Sequence, residues 1–311
     1  MTPESASLGG RPAQSRAPRR RRAVRRVAWW FLAPALAIYV LVIVYPMLAG
    51  IWYAFTDWNG LDPDYRFVGL ANFRRLAGDP QAVSSLKMTF VFAIAIALLQ
   101  NLFGLALALA LNERLRLRDP LRLLFFMPVV LTPLIISFLW KYIFSTQGPL
   151  NTVLAMAGLG AWQLSWLGDP MPAVASIVIA TLWQSVGLAM VIYLAGLQSI
   201  PAELTEAARL DGAGPWQVLR FVTLPMLAPA MTVTIVNSLI TSLKLFDQIY
   251  VLTGGGPGYA TETMSTLIYK TAFTFAETGY GSAISVVFTF AVAAVVLAAL
   301  HVLRRREFEH G

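Results

Sequence analysis

Two groups of residues in this 311-residue chain have the types and spacing to bind something, and neither has the make-up of a catalytic centre. The first is Asn237, Ser238, Thr241, Ser242 and Leu245. Their spacings of one, three and four place much of the set on one helical face. Short amide and hydroxyl groups beside an apolar wall suit the hydroxyls of a small polar solute. Trp183, Gln184, Ser185 and Gly187 add weaker candidates, as does Thr132 beside Pro133. Small and hydroxylated residues also pack helices together in membranes, so any single serine is as readily a packing contact as a ligand. The second group is Glu206-Ala207-Ala208 followed by Asp211-Gly212-Ala213. Two alanines let another backbone come close, Glu206 can accept charge-assisted bonds from a basic partner, and Gly212 can supply a bend. Taken alone, Glu206 would only solvate a helix and Gly212 would only end one. Asp211 could equally cap the helix that follows.

Other chemistries lack their residues. There is no cysteine, and the two histidines, His301 and His310, lie at the extreme C-terminus, so no metal or thiol site is expected. No paired carboxylates suggest an enzyme acting within the membrane. The run Gly254-Gly255-Gly256-Pro257-Gly258 lacks the Lys-Ser/Thr ending of a phosphate-binding loop, so any nucleotide energy must come from another chain. The net charge of +8 could suggest nucleic acid, yet eight of the 24 basic residues fall in the first 26 positions, ahead of a long apolar run. That placement suits a membrane-anchored tail, and no nucleic-acid partner is expected.

The elements that must carry these residues are helices in a bilayer. At 57% hydrophobic and 13% charged, the chain gathers its apolar residues into blocks of membrane-crossing length. Val27 to Phe55 is one such block. Arg25-Arg26 ahead of it has the look of a secretory leader, but the block is too long for a leader core and no small-residue cleavage site closes it, so it reads as an uncleaved first span. Five more follow at about Met88–Leu111, Leu121–Phe144, Ala173–Ala195, Met226–Val251 and Ser282–Leu303. Backbone groups in lipid must pair within their own segment, so the expectation is an all-α, polytopic membrane protein of six transmembrane helices, kinked at Pro34, Pro46, Pro128 and Pro133. The expected organisation is a disordered basic tail over 1–26, a six-span membrane domain over 27–303 and a short C-terminal cytoplasmic tail over 304–311. With the N-terminus inside, seventeen Lys and Arg fall on the cytoplasmic side and five outside, which predicts both termini cytoplasmic. The loop at 196–225, between the fourth and fifth spans, is then cytoplasmic. Pro201 opens a short helix through Ala208, the stretch from Asp211 to Pro215 turns the chain, and a second helix starts near Trp216.

This loop resembles the EAA loop of binding-protein-dependent ABC importers, matching at Glu206-Ala207-Ala208, Asp211-Gly212-Ala213, Leu224-Pro225 and Pro229. Over most of its length the chain is similar to the sugar permeases that include the larger membrane subunit of the maltose importer. The segments that carry the likeness are Tyr45-Pro46, Phe55-Thr56-Asp57-Trp58, Val68 to Phe73, Leu194 to Pro201 and Phe246 to Pro257. Leu219 stands where an aromatic is common and Val222 where isoleucine is common. The resemblance implies a permease of the bacterial inner membrane with a cytoplasmic coupling helix, in which Glu206, Ala207, Ala208, Asp211, Gly212 and Ala213 meet an ATPase. It implies a second permease subunit forming a heterodimer, a dimer of ATPase subunits holding ATP and magnesium, an extracytoplasmic solute-binding protein and a sugar substrate, with no cofactor in this chain. It also places Ser238 and Ser242 at substrate-contacting positions, while Val129 offers no polar match to a binding residue of the family. A different class, a transporter driven by an ion gradient, would use Lys141, Lys244 and Asp247 as its coupling charges, although such folds usually carry more spans and internal repeats.

Overall fold

A computed structural model describes residues 31–113 and 116–308, with side chains through residue 305. The basic tail expected over 1–26 lies outside the described residues. Two compact units divide at Gly50 and Ile51. Most of α1 (Phe31–Tyr53) belongs to the first unit, and it contains a π-helical stretch at Val40–Val44 that leads into Tyr45-Pro46.

The second unit is all-α among the described residues apart from one isolated bridge between Thr56 and Phe67. In chain order it contains α2 (Ala71–Ala77), α3 (Pro80–Asn112), α4 (Arg118–Val130), α5 (Pro133–Ile143), α6 (Pro149–Met156) and α7 (Pro170–Gln198). Then come α8 (Ala202–Leu210), α9 (Pro215–Met226), α10 (Ala228–Leu243), α11 (Asp247–Leu252), α12 (Met264–Tyr269) and α13 (Thr278–Phe308). Helices α1, α3, α7 and α13 are each long and apolar enough to cross a membrane, and the bent pairs α4 with α5 and α9 with α10 bring the number of crossings to as many as six. Helix α13 runs on to Phe308, so the segment expected as a tail from 304 is helical where it is described.

Two expected spans are broken, one at an expected kink and one where none was expected. The third bends by 101° between α4 and α5. Its cause is local, because a residue before proline is driven out of the helical region, and Thr132, ahead of Pro133, sits at φ −66° and ψ 143°. Pro128, in contrast, stays inside α4. The fifth expected span, Met226–Val251, ends its helix at Leu243 and restarts at Asp247.

Helices α3 and α7 run through the middle. Gly104 of α3 faces Ala189 of α7 so closely that a β-carbon on it would stand 2.5 Å from the alanine methyl. Gly187 does the same for α4: a β-carbon there would run into the Phe125 carbonyl and lie 2.9 Å from the Phe126 Cα. In lipid, where helices gain little from hydrophobic burial against one another, such small residues permit the backbone approach that packing requires. Phe92, Ile96, Ile177, Ala180 and Ile249 form one buried cluster along this axis, and Ala108, Met190, Tyr193 and Leu227 anchor another.

One end of the bundle is held by polar staples. The Tyr280 hydroxyl of α13 donates to Asp79 at 2.6 Å, and the Arg75 guanidinium lies 3.9 Å over the Tyr280 ring. Burial alone would raise the Asp79 carboxyl, but the bonds from Tyr280, Gln81 and Ala82 and the charge of Arg75 prevail and hold it below the ordinary carboxylate value. This N-cap of α3 is therefore fully present above the ordinary carboxylate range and weakens only as pH falls through the depressed value. Nearby, Glu262 is fully buried and bonds Lys270 Nζ at 2.6 Å and Gln81 Nε2 at 2.7 Å, fixing the glycine-rich segment to the start of α3. Glu262→Gln is expected to cost about 2 kcal/mol, less than for a pair sealed on both sides because the Lys270 side chain keeps 20% exposure. Thermal unfolding in detergent or nanodiscs reads the effect, and an unchanged melting temperature would rule the staple out as a stabilising contact.

Candidate functional site

A cavity of about 280 Å³ opens where the broken helices meet, between α3, the α4–α5 break, α7, the end of α10 and the start of α11. Helices with intact backbones wall it on one side. On the other, the chain leaves helical geometry, and its freed carbonyls take side-chain partners, as backbone at membrane depth requires. Gln184 Nε2 donates to the Leu131 carbonyl at 3.0 Å, and Thr263 Oγ1 donates to the Leu245 carbonyl at 3.3 Å. Gln184 Oε1 in turn accepts from Gln248 Nε2 at 2.9 Å. One side chain on the continuous helix α7 thus joins both interruptions.

Of the residues the sequence singled out, Asn237, Thr241, Ser242, Leu245, Gln184 and Ser185 border this cavity. Ser238 does not. It is fully buried between helices, where its hydroxyl donates to the Ile235 carbonyl and accepts from Asn101 Nδ2 at 2.8 Å. Asn101 Oδ1 accepts from the Tyr193 hydroxyl at 2.5 Å, so Ser238 belongs to a polar clasp of α3, α7 and α10. In this structure the hydroxyl expected to meet substrate is engaged by Asn101 and stands outside the cavity lining. Trp183 and Gly187 also point elsewhere. Trp183 meets the Trp140 ring edge-on at 5.8 Å, and Gly187 packs on α4. Thr132 is the N-cap of α5. Val129 borders the cavity without a polar group.

Sequence reasoning passed over Gln100, Thr181 and Gln248, which also line the cavity. Gln100 was visible as a polar residue inside an apolar block, a signal that ordinarily marks a functional path. Lys244 and Asp247 both border the cavity and form no ion pair with each other among the described residues.

The second group lies apart from the cavity, on α8 and the turn after it. Glu206, Ala207 and Ala208 lie in the helix Ala202–Leu210, with Glu206 and Ala207 exposed. Gly212 holds φ +85°, a left-handed backbone that a side chain resists, and reverses the chain. Asp211 ends α8 and caps nothing beyond it. The start of α9 is closed instead by Gln217, whose Oε1 accepts from the Gly214 N–H at 2.7 Å. Ala208, Asp211, Gly212 and Ala213 line a shallow hollow of about 320 Å³ together with Phe221, which is 69% exposed. Leu210, at 89% exposed, stands beside it. The hollow is thus lined by small residues and rimmed by uncovered apolar side chains and one carboxylate.

A polytopic helical bundle that encloses a polar cavity at broken helices has the architecture of a membrane permease. The chain belongs to the family described as binding-protein-dependent transport system inner membrane component, which matches residues 100–308. It is 37% identical to the probable starch degradation products transport system permease protein of Thermoanaerobacterium thermosulfurigenes over 90% of this chain and 95% of that protein. It is 34% identical to the multiple sugar-binding transport system permease protein of Streptococcus mutans over 90% of this chain and 96% of that one. The fold matches a chain in the crystal structure of a bacterial ABC transporter involved in the import of the acidic polysaccharide alginate, with a TM-score of 0.81 and 25% identity over 93% of this chain and 99% of that one. The chain is accordingly a permease subunit of an ABC importer, and the alternative of an ion-gradient transporter is set aside.

Proposed function

We propose that this permease moves a sugar or related polyhydroxylated solute inward by alternating access, contributing half of a pathway completed by a second permease subunit. An extracytoplasmic solute-binding protein delivers the solute, and a dimer of separate ATPase subunits, which bind ATP and magnesium, supplies the energy. In this reading both termini are cytoplasmic and the turn formed by α8 and α9 is the coupling element. Glu206 and Asp211 are its polar anchors, and Ala207, Ala208, Gly212 and Ala213 its close-approach surface. The observation that carries the reading is the cavity at the helix breaks, where Asn237, Thr241, Ser242, Gln184 and Ser185 stand beside the apolar wall of Leu245 and Ile96. Relatives whose names specify starch degradation products, multiple sugars and, in Thermococcus litoralis, trehalose and maltose support the solute class.

Co-purification of the four components, followed by ATP hydrolysis that rises with the loaded binding protein, tests the assembly. Saccharide uptake by this chain alone would overturn it. Within the pathway, Asn237→Leu removes an amide from the cavity wall without disturbing the Ser238 clasp. It is expected to lower ATP-driven saccharide uptake about tenfold in proteoliposomes. Uptake equal to the unaltered complex would remove Asn237 from the pathway.

A further inference from the structure

The polar groups around the cavity are in two different conditions. Both ends of the Gln184 amide are occupied, one by the Leu131 carbonyl and one by Gln248. Gln100, on α3, is only half satisfied. It is 2% exposed, and its Nε2 donates to the Ser185 carbonyl at 3.1 Å, while its Oε1 has no partner among the described residues. The backbone carbonyl can only accept, so the nitrogen must face Ser185 and the oxygen is the end left over. Ser185 Oγ, on the facing turn of α7, is likewise buried without a partner. Both residues border the same 280 Å³ cavity.

Buried polar atoms in native proteins are nearly always paired, so two orphans on facing helices beside one cavity ask what pairs them. The missing partner must donate to Gln100 Oε1 and must donate to or accept from Ser185 Oγ. Adjacent hydroxyls of a neutral solute do both. A carboxylate would meet Gln100 Oε1 with a second acceptor, and an apolar group would leave both atoms bare.

We propose that Gln100 and Ser185 form a hydroxyl-recognition subsite of the translocation path, selecting neutral solutes with neighbouring hydroxyls. The proposal rests on the saccharide reading above and adds Gln100 as a specificity determinant. Sites built to bond a hydroxyl discriminate strongly against solutes that lack it, whereas apolar fit discriminates weakly.

The test uses the whole four-component complex in proteoliposomes, with a panel of mono-, di- and oligosaccharides offered through the binding protein. Gln100→Met keeps the bulk and removes the amide, the unpaired acceptor together with the donor to the Ser185 carbonyl. Ser185→Ala removes only the hydroxyl and leaves the backbone carbonyl that Gln100 Nε2 uses. Each is expected to lower uptake of the transported saccharide at least about tenfold. Ser185→Ala, which removes only an unpaired buried atom, should show no fall in melting temperature, and Gln100→Met at most a small one, since it also gives up the Nε2 bond to the Ser185 carbonyl. Unchanged uptake in either variant would overturn the subsite, water then being the only partner. A joint fall in uptake and melting temperature for Gln100→Met, with Ser185→Ala behaving as the unaltered complex, would reduce Gln100 to a brace between α3 and α7 and also overturn it. Failure of the unaltered complex to take up any saccharide is a different result, which would remove the saccharide reading itself.

Discussion

Gly212→Val is expected to lower ATP-driven uptake about a hundredfold while the chain still accumulates in the membrane. The position combines two properties. Its φ of +85° is one that a β-branched residue strongly resists. A β-carbon there would nevertheless meet nothing within 4 Å, so the whole cost is in the backbone and amounts to roughly 1–2 kcal/mol. The chain relieves that strain by changing the turn between α8 and α9, in which the Ala213 N–H bonds back to the Ala208 carbonyl at 3.0 Å. A partner that grips α8 would then push on a misaimed lever. Gly212→Asn is the control, since asparagine tolerates the left-handed region and should retain most uptake. If valine and asparagine transport equally well, the turn has no part in coupling.

Gly187→Val should act on the fold itself. The added side chain would be driven into the Phe125 carbonyl and the Phe126 Cα, backbone atoms that cannot rotate away. Helix α4 would have to lift off α7, opening the wall that carries the break at Leu131. Overpacking against backbone is expected to cost about 3 kcal/mol or more, enough to deplete the chain from the membrane. Gly160→Ala, at a site where a β-carbon meets nothing within 4 Å, should leave accumulation unchanged. The comparison is read by fluorescence-detected size exclusion of tagged variants. Equal monodisperse peaks would mean that α4 does not rest on α7 as described.

Much of this architecture was legible because its signals are local. Apolar blocks of membrane length gave the long apolar helices, and the turn between α8 and α9 could be read from Pro201, Gly212 and Pro215. Pro215 opens α9 and Gly212 takes the left-handed turn. The break before Pro133 was half legible, since the proline suggests a kink but not a bend of 101°. The break between Leu243 and Asp247 was not legible at all, because Lys244-Leu245-Phe246 contains neither proline nor glycine. There the chain is held by distant partners, including Thr263 on the Leu245 carbonyl. The same difference separates Ser242 from Ser238. Helical spacing placed both on one face, but only the fold brings Asn101 and Tyr193 to Ser238 and leaves Ser242 at the cavity. Spacing along one helix fixes direction, and the identity of what lies in that direction belongs to residues far away in sequence.

Because Gln184 holds the Leu131 carbonyl with its nitrogen and Gln248 with its oxygen, the two seams in the bundle share a single fastener. Neither seam can part without tugging on the other. Widening of this chamber should therefore proceed as one concerted event, and a spin-label pair across each seam should report the same relaxation time.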